Sequence, residues 1–270
     1  MAKNIRLTAR DRIILEHIHH FDLSTPNILK EEFFENRKMA AVDSTTRRLR
    51  EHGLISSHKV PGGRKVYYRL TPDGGSRIGV EVKEVGSSFY SLGRSYGLLH
   101  FICRRPPNVT RVKCSRIMFD RLLASRDQRF PRIDLYMAEC KQLETEITTT
   151  CLGLAVVDLN SLNKRLVDRC VTHSRKFIQR GWFAEVMKAG RFEITVLTGD
   201  ESKKNDLLLS VPIALRRKLQ GDIIRNGLNS PDGFPIGFNV EVIPELDEVV
   251  PFRRKQKVDS AKRVSAKTER

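Results

Sequence analysis

A short basic segment at residues 43–53 limits the folds open to the first part of this chain more than any other feature. Asp43 or Ser44 is expected to cap a helix there, because either side chain can accept a hydrogen bond from a free backbone N–H of the first turn. Gly53 is expected to end the helix, since glycine takes the left-handed conformation without a steric penalty. Leu49 falls on the side predicted to be buried, and the three arginines of the segment face solvent.

Two strand patterns follow this helix and surround a glycine-rich turn. Residues 55–59 and 66–70 alternate like half-buried strands about the Pro-Gly-Gly sequence at 61–63, which predicts a two-stranded hairpin. A basic helix followed by such a hairpin is typical of the DNA-contacting half of a winged helix.

The residues before this segment supply the two helices that a winged helix also needs. Thr8 opens a capping-box pattern in front of apolar residues at helical spacing. Thr25-Pro26 places proline at a first helical position, where its missing N–H is harmless. Residues 71–75 then interrupt the pattern. These features predict a winged helix-turn-helix domain over residues 1–80, a normal size for an independent domain.

The charge of the chain favours a polyanionic partner. Its 270 residues include 49 lysines and arginines against 32 acidic residues, a formal net charge of +17. Such a chain binds nucleic acid partly through release of condensed counterions. No stretch approaches 18 consecutive apolar residues and no secretory signal pattern is present. Double-stranded DNA is therefore expected as the partner, and a membrane is not.

The five cysteines indicate neither a zinc site nor a disulfide framework. They are odd in number and widely spaced, without a CxxC pair. Several lie among apolar residues, where cysteine behaves as a small buried thiol. We therefore expect free thiols in a reducing cytoplasm, and no metal or other cofactor.

Beyond residue 80 the chain is long enough for a second core. We expect a connecting helix within residues 81–108 and a small mixed-sheet α/β domain over 109–250, since strands alternate with helices there. Residues 251–270 are expected to form a disordered basic arm, because they cannot bury enough apolar surface to offset their ordering entropy. The expected helices cover 91–103, 161–180 and 202–224, and the expected strands cover 109–112, 132–138, 152–159, 192–197 and 238–243.

Four phrases of the sequence resemble the replication-relaxation family, winged-helix proteins of plasmids and other mobile elements. They are LTARDRIIL at 7–15, STTRRLREHGLI at 44–55, YRLTPDGG at 68–75 and ITVLTGDE at 194–201. The resemblance is clearest over residues 7–80 and mostly architectural afterwards. It implies DNA binding linked to transcription control, plasmid replication or DNA relaxation.

The residues expected to contact DNA follow from the docking of other helix-turn-helix proteins, whose recognition helix enters the major groove. Arginine there can pair with guanine through two hydrogen bonds. Tyr67 and Tyr68 alternate along the second strand, so one should pack inward and the other remain available. The predicted contacts are Thr45, Thr46, Arg47 and Arg50 at or near the bases, Arg48 at a phosphate, and Arg64 and Lys65 at the backbone or minor groove.

The second half of the chain also invites an enzyme hypothesis, because its order of helix and strands resembles the restriction-endonuclease core. That chemistry needs two carboxylates to hold a divalent metal and a lysine to orient or activate water. Asp134 and Asp158 would supply the carboxylates, with Mg²⁺ as the metal. Asparagine stands at position 160, where lysine is expected, and Lys164 would take its place.

A second placement of this motif uses Glu139-Cys140-Lys141, with Asp120 or Asp134 as the acidic partner. Neither placement fits well. The preferred interpretation is a sequence-selective DNA-binding regulator or replication accessory factor whose second domain is not catalytic, and a metal-dependent nuclease is the alternative. A homodimer is compatible with both, although the sequence shows no heptad pattern.

Overall fold

The computed structural model describes residues 6–60, 65–82, 89–115, 118, 134–141, 148–158, 163–179, 183–228 and 233–249. These residues form a mixed α/β structure with nine helices, a two-stranded sheet and a five-stranded mixed sheet. The predictions for Arg64, Asp120, the turn at 61–63 and the basic arm at 251–270 concern residues outside these ranges.

The predicted α/β class and small mixed sheet are confirmed. The helices are α1 (Ala9–Phe21), α2 (Pro26–Phe33), α3 (Met39–Glu51), α4 (Pro72–Ile78), α5 (Phe89–Cys103), α6 (Asn163–Gln179), α7 (Ala184–Lys188), α8 (Glu201–Arg225) and α9 (Leu246–Val249). The strands are β1 (Ile55–Lys59), β2 (Val66–Leu70), β3 (Val109–Lys113), β4 (Asp134–Lys141), β5 (Thr148–Val157), β6 (Phe192–Thr198) and β7 (Ile236–Val242).

The first two helices begin where their capping residues predict. Thr8 Oγ1 accepts a hydrogen bond from the Asp11 N–H at 3.2 Å, and the Asp11 carboxylate accepts one from the Thr8 N–H at 2.9 Å. This reciprocal pair completes a capping box. Thr25 Oγ1 accepts from the Ile28 N–H at 3.3 Å, and Pro26 opens α2. Local sequence therefore fixes both starts.

Helix α3 begins earlier than predicted. Its N-terminal flanking residue is Lys38, which makes no side-chain capping hydrogen bond. Asp43 and Ser44 lie within the helix, and the prediction that one of them caps it is wrong. Packing of the apolar side, and not a cap, stabilises the added turn. The buried residues of α3 are Val42, Thr46 and Leu49.

Strands β1 and β2 form the predicted hairpin, with Ile55 opposite Leu70 and Lys59 opposite Val66. Ser24, between α1 and α2, bridges the other edge of β2. Its N–H donates to the Tyr68 carbonyl at 3.0 Å, and its carbonyl accepts from the Tyr68 N–H at 2.8 Å. The hairpin is therefore fastened to the first two helices by backbone hydrogen bonds.

Both tyrosines of β2 are buried, so the expectation that one remains available is wrong. Tyr68 packs into the core that α1, α2 and α3 form with the hairpin. Tyr67 points to the opposite face of the strand and packs with residues of α5 and the five-stranded sheet. Both faces of β2 are covered because a second layer of structure lies against the hairpin.

Residues 71–75 do not interrupt the fold as predicted, because they begin helix α4. The Thr71 hydroxyl caps the helix by accepting a hydrogen bond from the Gly74 N–H at 3.0 Å. A Cβ on Gly74 would lie 2.0 Å from the Leu54 carbonyl oxygen. Glycine at this position therefore allows α4 to pack directly against the segment between α3 and β1.

The five-stranded sheet has the order β3-β4-β5-β6-β7. Strands β3, β4 and β5 are antiparallel neighbours, whereas β5, β6 and β7 run parallel. Helices lie in both parallel connections, α6 and α7 before β6 and α8 before β7. Parallel neighbours need such crossovers, whereas antiparallel neighbours can be joined by shorter turns.

Both faces of the five-stranded sheet are buried. Helices α6, α7 and α8 cover one face, where Leu154 and Val156 of β5 lie. Helices α5 and α9 cover the other face, where Tyr136 and Ala155 lie. Residues from α1 and the hairpin join this second core, so the segment 6–82 packs against the rest of the chain across the boundary expected near residue 80.

A buried ion pair joins the two edge strands of this sheet. Arg111 of β3 donates to both carboxylate oxygens of Glu241 on β7, at 2.9 and 2.6 Å, and to the Phe101 carbonyl at 2.9 Å. The Arg111 side chain is only 8% exposed. Removing Glu241 would leave the Arg111 charge buried without compensation, and removing Arg111 would leave a carboxylate that is 25% exposed.

No helix in the described part of the chain is long and apolar enough to cross a membrane. All five cysteines are free thiols, and Cys114 and Cys170 are buried. Burial raises the pKa of the Cys114 thiol to about 11, so this group is protonated at neutral pH.

Candidate nucleic-acid interface

Helix α3 presents one polar face to solvent and buries the other. Val42, Thr46 and Leu49 fix the helix against the core of α1, α2 and the hairpin. The solvent face carries two arginines and two acidic residues among apolar and small side chains at helical spacing. Its exposed residues are Met39, Ala40, Asp43, Ser44, Arg47, Arg50 and Glu51.

An open groove of about 410 Å³ runs beside this face. Ala40 and Ser44 of α3 form one part of its wall. Arg47 and Arg50 also line the groove and outnumber its one acidic residue, Asp43, so the lining has a net positive charge. The lining residues are Ala40, Asp43, Ser44, Thr46, Arg47, Arg50 and Tyr68.

The three arginines of α3 have different surroundings. Arg47 and Arg50 are exposed, and neither has an acidic partner within the described ranges. Arg48 instead donates from Nη2 to Asp11 Oδ1 at 2.5 Å and joins α3 to the start of α1. Arg47 and Arg50 are therefore available to a ligand, whereas Arg48 has a role within the fold.

The two threonines before these arginines also differ. Thr45 is partly exposed on the helix surface. Thr46 is 1% exposed, and its hydroxyl lies 3.3 Å from both the Asp43 carbonyl and the Tyr68 hydroxyl. The structure therefore places Thr46 in the core, where it cannot contact bases as the sequence predicts without rearrangement of the helix.

Lys65, expected near the wing tip, is held by the C-terminal part of the described chain. Its Nζ lies 2.7 Å from Glu245 and 3.3 Å from Glu248, and the side chain is 44% exposed. The hydrogen bond to Glu245 raises the pKa of Lys65, so the amine is charged at neutral pH. Tyr96 of α5 also donates to Glu245, at 2.9 Å. The turn end of the hairpin is thus linked to α5 and α9.

The first turn of α3, which contributes Met39 and Ala40 to the exposed face, is not predicted from the sequence. The missed pattern was the apolar spacing of Val42 with Leu49, which extends the amphipathic helix toward its N-terminus. Lys38 is not a residue type that usually caps a helix, whereas Asp43 and Ser44 are of capping types but lie inside the helix. Packing of the buried side of α3 therefore determines where the helix begins, against the capping preference of the local sequence.

Asp134 and Asp158 lie toward the same end of the five-stranded sheet. Asp134 begins β4 opposite Ala155, and Asp158 directly follows β5. Their side chains lie on different faces of the sheet. Asp134 is two residues before Tyr136 and shares the face that α5 and α9 cover, whereas Asp158 is two residues after Val156 and shares the opposite face. The pairing of β4 with β5 brings the two residues to the same end of the sheet, but their side chains do not point into one site.

Each of these carboxylates lies against a different cation. Arg94 of α5 donates from Nε to one oxygen of Asp134 and from Nη2 to the other at 2.9 Å. Lys203 of α8 lies 3.4 Å from Asp158, whose side chain is 1% exposed. Lys164 is exposed in the first turn of α6. These contacts fit structural ion pairs better than ligands of one divalent metal.

The second placement of the nuclease motif lies on β4. Glu139 and Lys141 are exposed there, and Cys140 is partly buried. Within the ranges that the structure describes, no group of three or more histidine, cysteine or acidic side chains is arranged to hold a metal ion. Among the described residues of the two placements, none belongs to such a group.

Comparison of the chain with protein-family models, with curated proteins and with solved structures returned no match. The resemblance to the replication-relaxation family stays a prediction carried by its sequence phrases.

Proposed function

We propose that this protein binds double-stranded DNA, with α3 as the recognition helix and the β1–β2 hairpin as the wing of a winged helix. The observation that carries the proposal is the solvent face of α3, where Arg47 and Arg50 stand beside an open groove. The net charge of +17 supports a polyanionic ligand.

The arrangement of the first 80 residues supports this assignment. Three helices precede a two-stranded hairpin, and Ser24 bridges the free edge of the hairpin. The buried side of α3 faces α1 and α2, so the opposite side is presented outward. A helix held in this way can enter a major groove without distorting its own core.

The chemistry of the exposed face suits base recognition. Arg47 and Arg50 can each donate two hydrogen bonds to guanine O6 and N7. Ala40 and Ser44, two turns and one turn before Arg47, are small enough to let the helix approach base edges. Thr45 is a further contact at the side of the helix. We assign Arg48 to the fold and not to phosphate, because it is paired with Asp11.

The proposal assigns the five-stranded domain a supporting, non-catalytic role. Its charged residues at the candidate nuclease positions are used in ion pairs between helices and strands. A role in transcription control, replication or DNA relaxation rests on the family resemblance alone.

The experiment is duplex binding by fluorescence anisotropy across a salt series. Wild type is compared with Arg47→Ala/Arg50→Ala and with the charge-matched control Arg165→Ala/Lys176→Ala, two exposed positions on α6. We expect a steep salt dependence for wild type and control, and a slope reduced by up to about two counterions for the α3 variant. Equal affinities for wild type and the α3 variant would overturn the proposal.

A metal-dependent nuclease is the alternative, and the position of Asp134 and Asp158 at one end of the sheet favours it. It predicts cleavage of the bound duplex in Mg²⁺ or Mn²⁺ that disappears in Asp158→Ala. The proposal instead predicts intact DNA with and without metal. Cleavage by wild type that is lost in Asp158→Ala would make the second domain an enzyme.

A further inference from the structure

Helix α8 carries an apolar stripe on the side turned away from the sheet. One side of this 25-residue helix packs in the core beside β6 and β7 through Leu207, Val211, Leu215 and Leu219. On the opposite side Leu209 is 72% exposed and Ile213 is 71% exposed. Single exposed leucines are ordinary, but two on successive turns of one face form a surface that water solvates poorly.

The exposed side of α8 has the spacing of a helix-pairing seam. Four exposed residues follow one another at intervals of three, four and three, which keeps them on one face. Apolar residues occupy the centre of the seam, and charged or polar residues occupy its ends. This is the arrangement of a and d positions in paired helices. The seam residues are Asp206, Leu209, Ile213 and Arg216.

The seam is complementary to itself when a second copy runs antiparallel. With a two-fold axis at the level of Val211, Leu209 of one copy lies opposite Ile213 of the other, and Asp206 lies opposite Arg216. Each of these pairs occurs twice, as a two-fold axis requires. A parallel pair would instead place Asp206 against Asp206 and Arg216 against Arg216, which like-charge repulsion opposes.

We propose that α8 pairs with α8 of a second copy of this chain, antiparallel, in a two-fold homodimer. The apolar centre drives association, and the four terminal charges fix the direction. Because one helix pair makes a small interface, we expect a dissociation constant in the micromolar range. If the proposed function also holds, such a dimer presents two copies of α3 and favours inverted DNA half-sites.

The test is sedimentation velocity of the full chain without DNA, over a concentration series up to about 100 μM, which spans micromolar affinity. Wild type should change from monomer to dimer, and Leu209→Glu/Ile213→Glu should stay monomeric. The matched control Ile13→Glu changes an apolar residue of α1 that is 49% exposed, and should dimerise like wild type. Circular dichroism of all variants checks that the fold is retained.

Charge exchange tests the direction of pairing. Asp206→Arg and Arg216→Asp should each weaken dimerisation at least about tenfold, because each places like charges opposite one another. A mixture of these two variants should form a heterodimer with both ion pairs restored. A wild type that stays monomeric, a dimer that survives Leu209→Glu/Ile213→Glu, or a mixture no better than either variant would overturn the proposal.

Discussion

The exposed face of α3 and the acidic end of the five-stranded sheet both carry charged side chains, but in opposite circumstances. Arg47 and Arg50 extend beside an open groove without an acidic partner in the described ranges. Asp134 and Asp158 instead lie against Arg94 and Lys203. A charge that is already paired costs more to recruit for a ligand than one that faces water. This difference favours α3 as the ligand-binding surface.

The largest effect should come from the ion pair inside the sheet. Arg111→Ala leaves Glu241 without its partner and removes the hydrogen bond to the Phe101 carbonyl. We expect a loss of about 3 kcal/mol in the free energy of unfolding. Urea denaturation measures this loss, with Arg191→Ala as a control at an exposed position that should change it by less than about 0.5 kcal/mol.

A loss below about 1 kcal/mol for Arg111→Ala would contradict a structural role for this ion pair, because a loss of that size is expected of an ion pair on the surface. The charges of the sheet would then be no more structural than those of α3.

The second effect separates two neighbouring arginines. Arg48→Ala leaves the Asp11 carboxylate, which is 1% exposed, without its cation. We expect a cost of about 1–3 kcal/mol in the free energy of unfolding. Arg47→Ala should change it by less than about 0.5 kcal/mol but weaken duplex binding. Reversed results would place Arg48 at the ligand and Arg47 in the fold.

A third effect concerns His100, which lies between the two regions in α5. It is 3% exposed, and neither ring nitrogen has a hydrogen-bond partner among the described residues. Burial, aided by Arg104, lowers the pKa of His100 to about 4, whereas the unfolded value is 6.5. Between these two pH values the unfolded chain binds a proton that the folded chain does not, so stability falls as the pH falls.

His100→Phe should therefore lose less stability than wild type between pH 6.5 and pH 4, by about 2 kcal/mol. Thermal or urea unfolding at several pH values measures the difference. His17 and His20, whose pKa values burial also lowers to about 4, still contribute in the variant. Identical pH dependence in the two proteins would show that His100 is protonated in the fold.

The smallest effect concerns Lys65, at the turn end of the β1–β2 hairpin. Glu245→Gln/Glu248→Gln removes the two carboxylates that hold Lys65 and would repel phosphate. Because exposed ion pairs contribute little, stability should change by less than about 1 kcal/mol. Duplex affinity at low salt should rise about twofold to threefold, since Lys65 becomes available. Unchanged affinity would exclude Lys65 from the interface.

Local chemistry made much of this fold predictable. Thr8 and Thr25 begin α1 and α2 through the capping contacts that the sequence indicates. The strand expected at 192–197 is observed as Phe192–Thr198, because a run of β-branched and apolar residues needs no distant partner to be recognised. The start of α3 was missed because tertiary packing, and not a capping residue, determines it.

Partners distant in the sequence account for the rest. Nothing near Arg48 indicates that Asp11, 37 residues earlier, neutralises it. Tyr67 has the alternation of an exposed position, yet α5 and the sheet cover it. The seam of α8 could not be predicted either, because its spacing identifies an exposed face only once the buried side of the helix is known. The sequence indicates which residues carry charge, whereas the fold decides which of them remain accessible.

A charge-preserving variant separates recognition of DNA bases by Arg47 and Arg50 from simple attraction to phosphate. A preferred duplex is selected by wild type from a random pool, and its affinity relative to a scrambled duplex is compared with that of Arg47→Lys/Arg50→Lys. Lysine keeps the charge but lacks the planar fork that pairs with guanine. If Arg47 and Arg50 read bases, we expect an unchanged salt slope and a sequence preference reduced at least about tenfold. A preference equal to that of wild type would contradict this expectation, and recognition would then lie elsewhere in the chain.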